Sequence, residues 1–215
     1  MNNNESTRGP YQSTLRARMR EQTSQIILDA VGSVIRNADI AAVSVAEVAR
    51  VAEVTEQTIY RHYGSRDELI RAFIKWHLEQ VVGGPDRKLP STIDELLAWV
   101  GMRYQTWEDD RQVVSEAYLS PIGRELRQPL YEIGFENLVR MLTLENPDFD
   151  ESTRRHVAAS MLTLMSTENF VFLKRNLGFD AAEAHAVVAT AIGAIRRGVR
   201  PSDRPVPQTR KAAPP

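Results

Sequence analysis

The sequence contains no cysteine and no long apolar run. Without cysteine there can be no disulfide bonds and no zinc sites with thiolate ligands, and this absence is typical of proteins of a reducing compartment. No stretch approaches the roughly 18 consecutive apolar residues of a membrane-spanning helix. Residues 1–20 also lack the apolar segment of a secretory signal. These absences predict a soluble, cytoplasmic protein that does not enter a membrane.

Neither sign of charge is in excess. The 27 Lys and Arg residues nearly balance the 28 Asp and Glu residues, which leaves a formal net charge of −1. A polyanionic partner would therefore have to be recognised by a local basic surface. The length of 215 residues is sufficient for a buried core in one or two domains.

Signatures of catalysis are missing as well. The four histidines are scattered, and there is no H-E-x-x-H, no G-x-S-x-G and no glycine-rich phosphate loop. We therefore expect no enzymatic activity, no cofactor and no metal site. A polar pair inside a helical bundle, for example Glu168 with His77, is the alternative from which an enzyme site could form. A helical module that dimerises without binding DNA is the other alternative.

The apolar periodicity is helical almost throughout, and it predicts an all-α fold of about nine helices. Residues 20–37 repeat apolar side chains at the spacing of one helix face. Ser44 followed by Glu47 is the capping-box pattern that begins a helix. The turn-forming residues 83–85 mark the best boundary between two parts of the chain.

The second part of the chain is also predicted to be helical. Prolines, glycines and capping residues divide it into helices at 92–107, 109–119 (ended by Pro121), 129–146 (begun by Pro129), 150–178 and 180–198. From residue 199 onward, prolines and arginines without periodicity predict a disordered tail.

Two short predicted helices joined by a tight turn lie between residues 44 and 63, and this arrangement describes a helix-turn-helix. Small apolar residues are spaced to fill the core between the two helices: Val45, Val48, Ala49, Val54 and Ile59. On this spacing alone, a generic helical hairpin is the alternative to a DNA-binding unit.

The segment VTEQTIYRHYGSRDEL at 54–69, preceded by VSVAEVARVAE at 43–53, closely resembles the TetR family of bacterial transcription regulators. The resemblance covers about 20–70. It implies an N-terminal three-helix DNA-binding domain, whose recognition helix at about 55–61 enters the major groove. It also implies a homodimer that reads a palindromic operator in double-stranded DNA, and it favours repression relieved by a small effector.

The resemblance implies the division of the chain into domains. A flexible arm would occupy 1–19, and the helix-turn-helix domain would occupy 20–66. A C-terminal helical domain for ligand binding and dimerisation would follow at 67–198, with the helix at 67–82 as its connector. The disordered tail at 199–215 completes the chain.

The resemblance assigns phosphate contacts to hydroxyl, imidazole and guanidinium groups around the recognition helix: Ser44, Thr58, Tyr60, His62 and Arg66. Base reading falls to outward side chains of that helix and to two neighbours: Glu56, Gln57, Arg61, Val45 and Ala46. Glutamine suits adenine, arginine suits guanine or phosphate, and a carboxylate can accept from cytosine N4. Glu56 has two further interpretations, because it could repel other DNA sequences or hold Arg61 or Arg50 in place.

The turn of the helix-turn-helix departs from the family pattern. Glu53 stands where the family usually has glycine. This position tends to need a left-handed backbone, which costs a non-glycine residue roughly 1 kcal/mol or more. We therefore expect either an adjusted turn or a strained Glu53.

The N-terminal arm is locally basic. Residues 6–20 contain four arginines and no acidic residue: Arg8, Arg16, Arg18 and Arg20. A flexible arm with arginines ahead of a helix-turn-helix can enter the adjacent minor groove. A solvated tail without DNA contacts is the alternative.

A dimer interface is predicted from the last two helices, at about 150–177 and 180–198. The first is apolar on two sides, so both sides must be buried. The second has a large apolar face with Val188, Ile192 and Ile195, opposed by a face of small residues: Ala182, Ala186, Ala189 and Gly193. The small face permits close packing, which favours a four-helix interface between two protomers.

A site for an unknown, largely apolar small-molecule effector is predicted beside the helix at 150–177. Glu168 lies within its apolar stripe and needs a partner if buried, which could be the effector or Arg103. Aromatic residues and methionines could line the site: Trp76, Trp99, Met102, Trp107, Tyr118, Met141, Met165 and Phe172. For each of these residues, ordinary core packing is the alternative.

Overall fold

The computed structural model describes residues 10–38, 40–83 and 88–198. This part of the chain is helical and contains no strand, so the all-α prediction is confirmed. The described residues also include a 3₁₀-helix at Ile40–Ala42 and a π-helical segment at Val114–Tyr118. The α-helices are α1 Pro10–Asn37, α2 Val45–Val51, α3 Glu56–Tyr63, α4 Arg66–Val82, α5 Ile93–Asp109, α6 Arg111–Val113, α7 Pro121–Glu145, α8 Glu151–Leu164, α9 Thr167–Leu177 and α10 Ala181–Gly198.

The chain forms two compact units. The N-terminal unit comprises Met1–Pro85 and Asp110–Leu126, and the C-terminal unit comprises Asp86–Asp109 and Arg127–Pro215. The N-terminal unit thus groups α4 with α1 to α3. The functional division at residue 67 stays a prediction, and the predicted tail at 199–215 lies outside the described residues.

The core of the N-terminal unit lies between α1, α2, α3 and α4. Side chains from all four helices are buried there, among them Ile35, Val48, Ile59 and Phe73. The side-chain oxygens of the residues before α2, α3 and α4 each accept a hydrogen bond from a backbone N–H in the first turn: Ser44, Thr55 and Ser65. The predicted helix start at Ser44 is confirmed.

The first helix begins at Pro10 rather than at residue 20. Arg16, Arg18 and Arg20 therefore lie on an exposed helix and not in a flexible arm. The apolar periodicity missed this extension because the residues from 14 to 22 are exposed, whereas Leu, Arg, Ala, Met and Glu have a high intrinsic helix propensity. Arg8 lies outside the described residues.

Pro121 and Pro129 act differently from the prediction. Helix α7 begins at Pro121 and continues through Pro129 to Glu145, so Pro129 does not begin a helix. Pro121 fits the first helical position, where no N–H is needed, and the Ser120 hydroxyl accepts from the N–H of Gly123 over 3.0 Å. Pro129 removes one hydrogen bond from the helix interior, but the rest of the helix is continuous on both sides.

The predicted single helix at 150–177 is divided into α8 and α9. Ser166 begins α9 by accepting a hydrogen bond from the N–H of Asn169 over 3.2 Å. Side chains of α5 bind the carbonyl groups at the break. Arg103 Nη2 donates to the Met165 carbonyl over 2.7 Å, and the Tyr104 hydroxyl donates to the Leu164 carbonyl over 3.3 Å. These tertiary bonds replace the helical bonds that a continuous helix would make.

Helices α5 and α10 pack closely in the C-terminal unit. A Cβ atom at Gly101 would lie 3.3 Å from the ring of His185, so the absent side chain makes room for the imidazole. His185 Nε2 donates to the Leu97 carbonyl over 2.9 Å. Asp180 and Glu183 bind each other's backbone N–H groups over 2.9 Å, which confirms the predicted start of α10.

Candidate nucleic-acid interface

Helices α2 and α3 form a helix-turn-helix whose turn contains a left-handed residue. Glu53 has a φ of 54°, which confirms the strained conformation expected from the sequence. The N–H of Ala52 donates to the Val48 carbonyl over 2.8 Å, and the N–H of Val54 donates to the Ala49 carbonyl over 3.0 Å. These bonds close the turn, and the buried Ala49 lies in the tight space beneath it.

One face of α3 is buried and the other carries the polar residues. Ile59 is 1% exposed, whereas the next residue, Tyr60, is 48% exposed. Glu56, Gln57 and Arg61 are exposed as well, and Thr58 is partly exposed. The Thr58 hydroxyl lies 3.0 Å from that of Thr55. Helix α3 thus presents the residues predicted for DNA contact on its solvent side.

Tyr63 anchors the end of α3 on α1. Its hydroxyl lies 2.7 Å from Ser24 Oγ and donates to the Ser24 carbonyl over 3.3 Å. Burial raises the pKa of this hydroxyl, with the bond from Ser24 acting in the opposite sense. Tyr63 therefore positions α3 against α1.

A local basic cluster lies at this end of α3. Burial lowers the pKa of His62 below its usual value, and the positive charges of Arg20 and Arg61 lower it further. Arg20 lies one helical turn before Ser24, the residue that contacts Tyr63. The cluster of Arg20, Arg61 and His62 is the kind of local positive surface that a nearly neutral chain needs for a polyanionic partner.

The residues at the start of α2 differ in their exposure to solvent. Ala46 and Ser44 are exposed, and the Ser44 hydroxyl accepts from the N–H of Glu47 over 3.1 Å. Val45 is only 6% exposed and packs in the core. Its predicted position near the bases is therefore corrected, because a valine at the first turn of α2 is needed inside the domain.

Glu56 is exposed at the first turn of α3. Arg50, one of its two predicted partners, instead binds Glu47, with Nη2 2.6 Å from Oε1 and Nε 3.1 Å from Oε2. Within the described residues, no hydrogen bond or ion pair joins Glu56 to Arg50 or Arg61. The interpretation in which Glu56 holds one of these arginines has no support in the structure.

The Arg66 guanidinium has internal partners. Its Nε donates to the Val43 carbonyl and its Nη2 to the Ile40 carbonyl, each over 2.6 Å. Its Nη1 donates to Asp67 Oδ1 over 3.1 Å. The phosphate contact predicted for Arg66 thus competes with bonds to the chain itself.

In the C-terminal unit, four of the predicted effector residues lie together. The Arg103 guanidinium carbon lies 4.4 Å from the ring centre of Trp99 and 4.6 Å from that of Trp107. The same guanidinium donates to the Met165 carbonyl. Trp99, Arg103, Trp107 and Met165 therefore form a cluster, which Phe170 extends at 5.3 Å from the Trp107 ring.

Glu168 pairs with Arg127 and not with the predicted Arg103. Arg127 Nη2 lies 2.8 Å from Glu168 Oε1, and the Tyr131 hydroxyl donates to Oε2 over 2.8 Å. Burial alone would raise the pKa of Glu168, but the bonds from Arg127 and Tyr131 outweigh it and the pKa is lowered. Sequence reasoning missed these partners because they lie 41 and 37 positions away along the chain.

The remaining predicted effector residues are dispersed. Met102 and Phe172 are 65% and 53% exposed, and Met141 is buried. Trp76 and Tyr118 belong to the N-terminal unit, where Tyr118 takes part in a polar network that the sequence did not reveal. In this network His77 Nδ1 lies 2.7 Å from the Tyr118 hydroxyl, and its Nε2 lies 3.2 Å from Asp110 Oδ2; Asp110 Oδ1 accepts from Arg36 Nε over 2.8 Å.

Neither a metal site nor a membrane span is found in the described part of the chain. No group of three or more His, Asp and Glu side chains there could hold a metal ion. None of the described helices is both long enough and apolar enough to cross a membrane.

A family model identifies the helix-turn-helix. Residues 27–73, from the middle of α1 to the middle of α4, match the model of bacterial regulatory proteins of the tetR family. This segment of the chain is therefore a helix-turn-helix of the tetR type. The match includes all of α2 and α3, the two helices of the helix-turn-helix.

Solved structures show the same fold over most of this chain. NalD, the secondary repressor of the MexAB-OprM multidrug efflux pump in Pseudomonas aeruginosa, aligns with a TM-score of 0.61 at 17% identity, covering 80% of this chain and 94% of NalD. The dihydroxyacetone kinase operon activator DhaS aligns with a TM-score of 0.54 at 11% identity, covering 81% and 96%. A comparison with curated protein sequences finds no match.

Proposed function

We propose that this protein is a ligand-responsive repressor of the TetR family that binds a palindromic operator as a homodimer. The proposal rests on the two faces of α3. Ile59 is buried on the inner face, whereas Gln57, Tyr60 and Arg61 are exposed on the outer face. The basic cluster at the end of the same helix supplies the local positive charge. A regulator of this kind acts on DNA in the bacterial cytoplasm.

Phosphate contacts are proposed for four residues at the edges of this face: Ser44, Thr58, Tyr60 and His62. The hydroxyl of Ser44 accepts a hydrogen bond within the protein and keeps its own proton for a phosphate oxygen. Such contacts orient the protein on the duplex without reading sequence. Arg66 is left out of this group because three carbonyl groups already receive bonds from its guanidinium.

Base contacts are proposed for the exposed residues of α3, with Ala46 close to them. Gln57 can bind adenine through two hydrogen bonds, and Arg61 can bind guanine in the same way. Glu56 has no arginine to hold, so its carboxylate is left to accept from cytosine N4 or to repel other sequences. Bidentate pairs of this type are worth about 1–3 kcal/mol of discrimination each.

Arg16, Arg18 and Arg20 lie on a helix, which changes their proposed role. An α-helix with side chains is about 10–12 Å across, whereas the minor groove is about 6 Å wide. Entry of this segment into the minor groove is thus disfavoured. Arg16 and Arg20 are spaced one helical turn apart, and we propose that they contact phosphates beside the major groove.

The proposed dimer uses the small-residue face of α10 together with α8 and α9. Ala182 and Ala186 are exposed, while Val188 and Ile192 on the other face are buried in the C-terminal unit. The small face is thus available for close packing against a second protomer. A twofold dimer would place two recognition helices about 34 Å apart, one turn of DNA.

The proposed effector is small and largely apolar, and its site is the cluster of Trp99, Arg103, Trp107 and Met165. An effector releases the operator only to the extent that it binds two positions of α4 with different affinity, typically by 1–3 kcal/mol. Crystals with and without an effector should then differ in the position of α4. An unchanged α4 in both states would contradict the mechanism.

Footprinting of the purified protein on the DNA upstream of its own and neighbouring genes tests the proposal. We expect a protected palindrome, bound by a dimer, with an affinity that falls steeply as salt rises. A folded protein that protects no site would refute operator binding, and turnover of a substrate without operator binding would indicate an enzyme.

A substitution tests the assignment of the reading residues. Gln57→Ala is expected to relax the preference at one base pair in each half-site by about 1–3 kcal/mol. Tyr60→Phe, the matched change at a phosphate-contacting residue, should weaken binding to all sequences alike. Affinities measured for a set of single-base operator variants distinguish these outcomes, and an unchanged preference in Gln57→Ala would remove Gln57 from the reading residues.

A further inference from the structure

Arg66 occupies the first position of α4, and its guanidinium faces the segment that precedes α2. It donates to the Val43 and Ile40 carbonyls over 2.6 Å each and to the Ala41 carbonyl over 3.4 Å. Of these three carbonyls, that of Ile40 also accepts from the N–H of Val43 over 3.3 Å. A planar fork of N–H donors can bind several of them at once, which a single ammonium group cannot do in the same geometry.

These bonds join two ends of the helix-turn-helix that are far apart in sequence. Val43 directly precedes Ser44, where α2 starts. Arg66 follows the end of α3 after only two residues, Gly64 and Ser65. The turn around Glu53 connects the end of α2 to the start of α3. The bonds of Arg66 connect the start of α2 to the end of α3.

We infer that Arg66 is a positioning residue for DNA binding, which holds the start of α2 at a fixed distance from the end of α3. Phosphate contacts from Ser44 on one side and from Tyr60 and His62 on the other must form on the same duplex. Their separation is therefore set by the bonds of Arg66. The inference rests on the proposed operator binding.

Two variants of the full-length protein, Arg66→Lys and Arg66→Met, test the inference. Lysine keeps the positive charge and methionine removes it, but neither reproduces the fork of donors. Arg71→Lys is the matched control, because Arg71 lies on the same helix and binds the exposed Glu125. Fluorescence anisotropy on the footprinted operator across a range of salt gives affinity and salt slope, and amide hydrogen exchange of residues 40–47 reports the free protein.

We expect Arg66→Lys and Arg66→Met to lose operator affinity alike, by about tenfold, an amount within the range for one lost hydrogen bond to a charged group. The slope of log affinity against log salt should stay as in the wild type, and exchange over residues 40–47 should become faster. Arg71→Lys should change neither quantity.

Three results would overturn the inference. If Arg66→Lys binds like the wild type while Arg66→Met lowers the salt slope by about one, Arg66 is a phosphate contact. If both variants unfold at a lower temperature yet bind the operator with unchanged affinity, the bonds serve stability alone. If the wild type binds no operator, the proposed function is refuted. Unchanged amide hydrogen exchange of residues 40–47 in both variants would separately overturn the positioning role.

Discussion

Glu53 carries backbone strain that glycine would relieve. Its φ of 54° belongs to the left-handed region, which costs an ordinary residue about 1–2 kcal/mol. A glycine gives the unfolded chain more conformational freedom, which lowers the free energy of unfolding by about 0.4–1 kcal/mol. Because the relieved strain is larger, Glu53→Gly is expected to stabilise the protein by up to about 1 kcal/mol. Chemical unfolding measures the change.

The matched control is Glu79→Gly on the exposed face of α4. Within a helix the same substitution should destabilise the protein, by about 1 kcal/mol. A loss of stability in Glu53→Gly similar to that of the control would show that the turn gains nothing from glycine.

His62 should make DNA binding depend on pH. Burial, Arg20 and Arg61 lower its pKa below the usual 6.5 in the free protein. A nearby phosphate favours the charged imidazole, so the pKa of His62 rises in the complex and binding takes up a proton. Operator affinity should therefore increase as pH falls from about 8 toward 6. Anisotropy titrations across this range measure the effect.

His62→Gln should flatten the pH dependence, whereas the control His156→Gln, on the exposed surface of α8, should leave it in place. The effect of pH on folding stability has the opposite sign to its effect on operator affinity. Since the unfolded chain binds more protons at a histidine whose pKa is lowered on folding, His62 reduces stability as pH falls below about 6.5. An affinity independent of pH in the wild type would exclude a phosphate contact of His62.

At the scale of the elements, the start of α7 depends on Gly123. A Cβ atom there would lie 2.2 Å from the Ala117 carbonyl oxygen and 2.4 Å from that of Tyr118. Because these atoms belong to the backbone of the π-helical segment, they cannot move aside cheaply. Gly123→Ala is expected to destabilise the protein by about 1–3 kcal/mol.

Gly134 provides the control on the same helix. A Cβ atom there meets only Leu162 Cδ1 at 3.4 Å, so Gly134→Ala should gain up to about 1 kcal/mol from helix propensity. Thermal unfolding of both variants gives the comparison. Equal stabilities would show that the junction of the π-helical segment with α7 adapts to a side chain.

Local patterns predicted the helices that local interactions define. Ser44, Thr55 and Ser65 each cap a helix through a residue three positions later, and such short-range bonds can be recognised in the sequence. The break at Met165 has a cap of the same kind at Ser166, but this cap alone does not explain why the preceding helix ends. The Met165 carbonyl is bound by Arg103, which is 62 positions away.

At the scale of the whole molecule, the proposed dimer predicts which surface is sensitive to charge. Ala186→Glu places a carboxylate on the exposed small face of α10, and burying it against a second protomer would be costly. We expect this variant to become monomeric and to lose operator affinity at least about tenfold, since one protomer makes too few contacts. Analytical ultracentrifugation measures the assembly.

Ala98→Glu is the matched control, because Ala98 is an exposed alanine on α5, outside the three helices of the proposed interface. It should remain dimeric. A dimeric Ala186→Glu variant would place the interface elsewhere on the molecule.

The sequence by itself determined the all-α class and the helix-turn-helix, and at Glu53 it left a strained residue and an adjusted turn as the two outcomes. These features depend on side-chain periodicity, caps and a core that lie within a few dozen consecutive residues. Only the tertiary structure decided that Glu168 pairs with Arg127, that α8 and α9 are separate, and that Arg66 turns toward Val43. Each of these depends on which polar groups from distant segments meet once apolar faces are buried, and a buried charge or carbonyl accepts whichever partner the packing brings within reach.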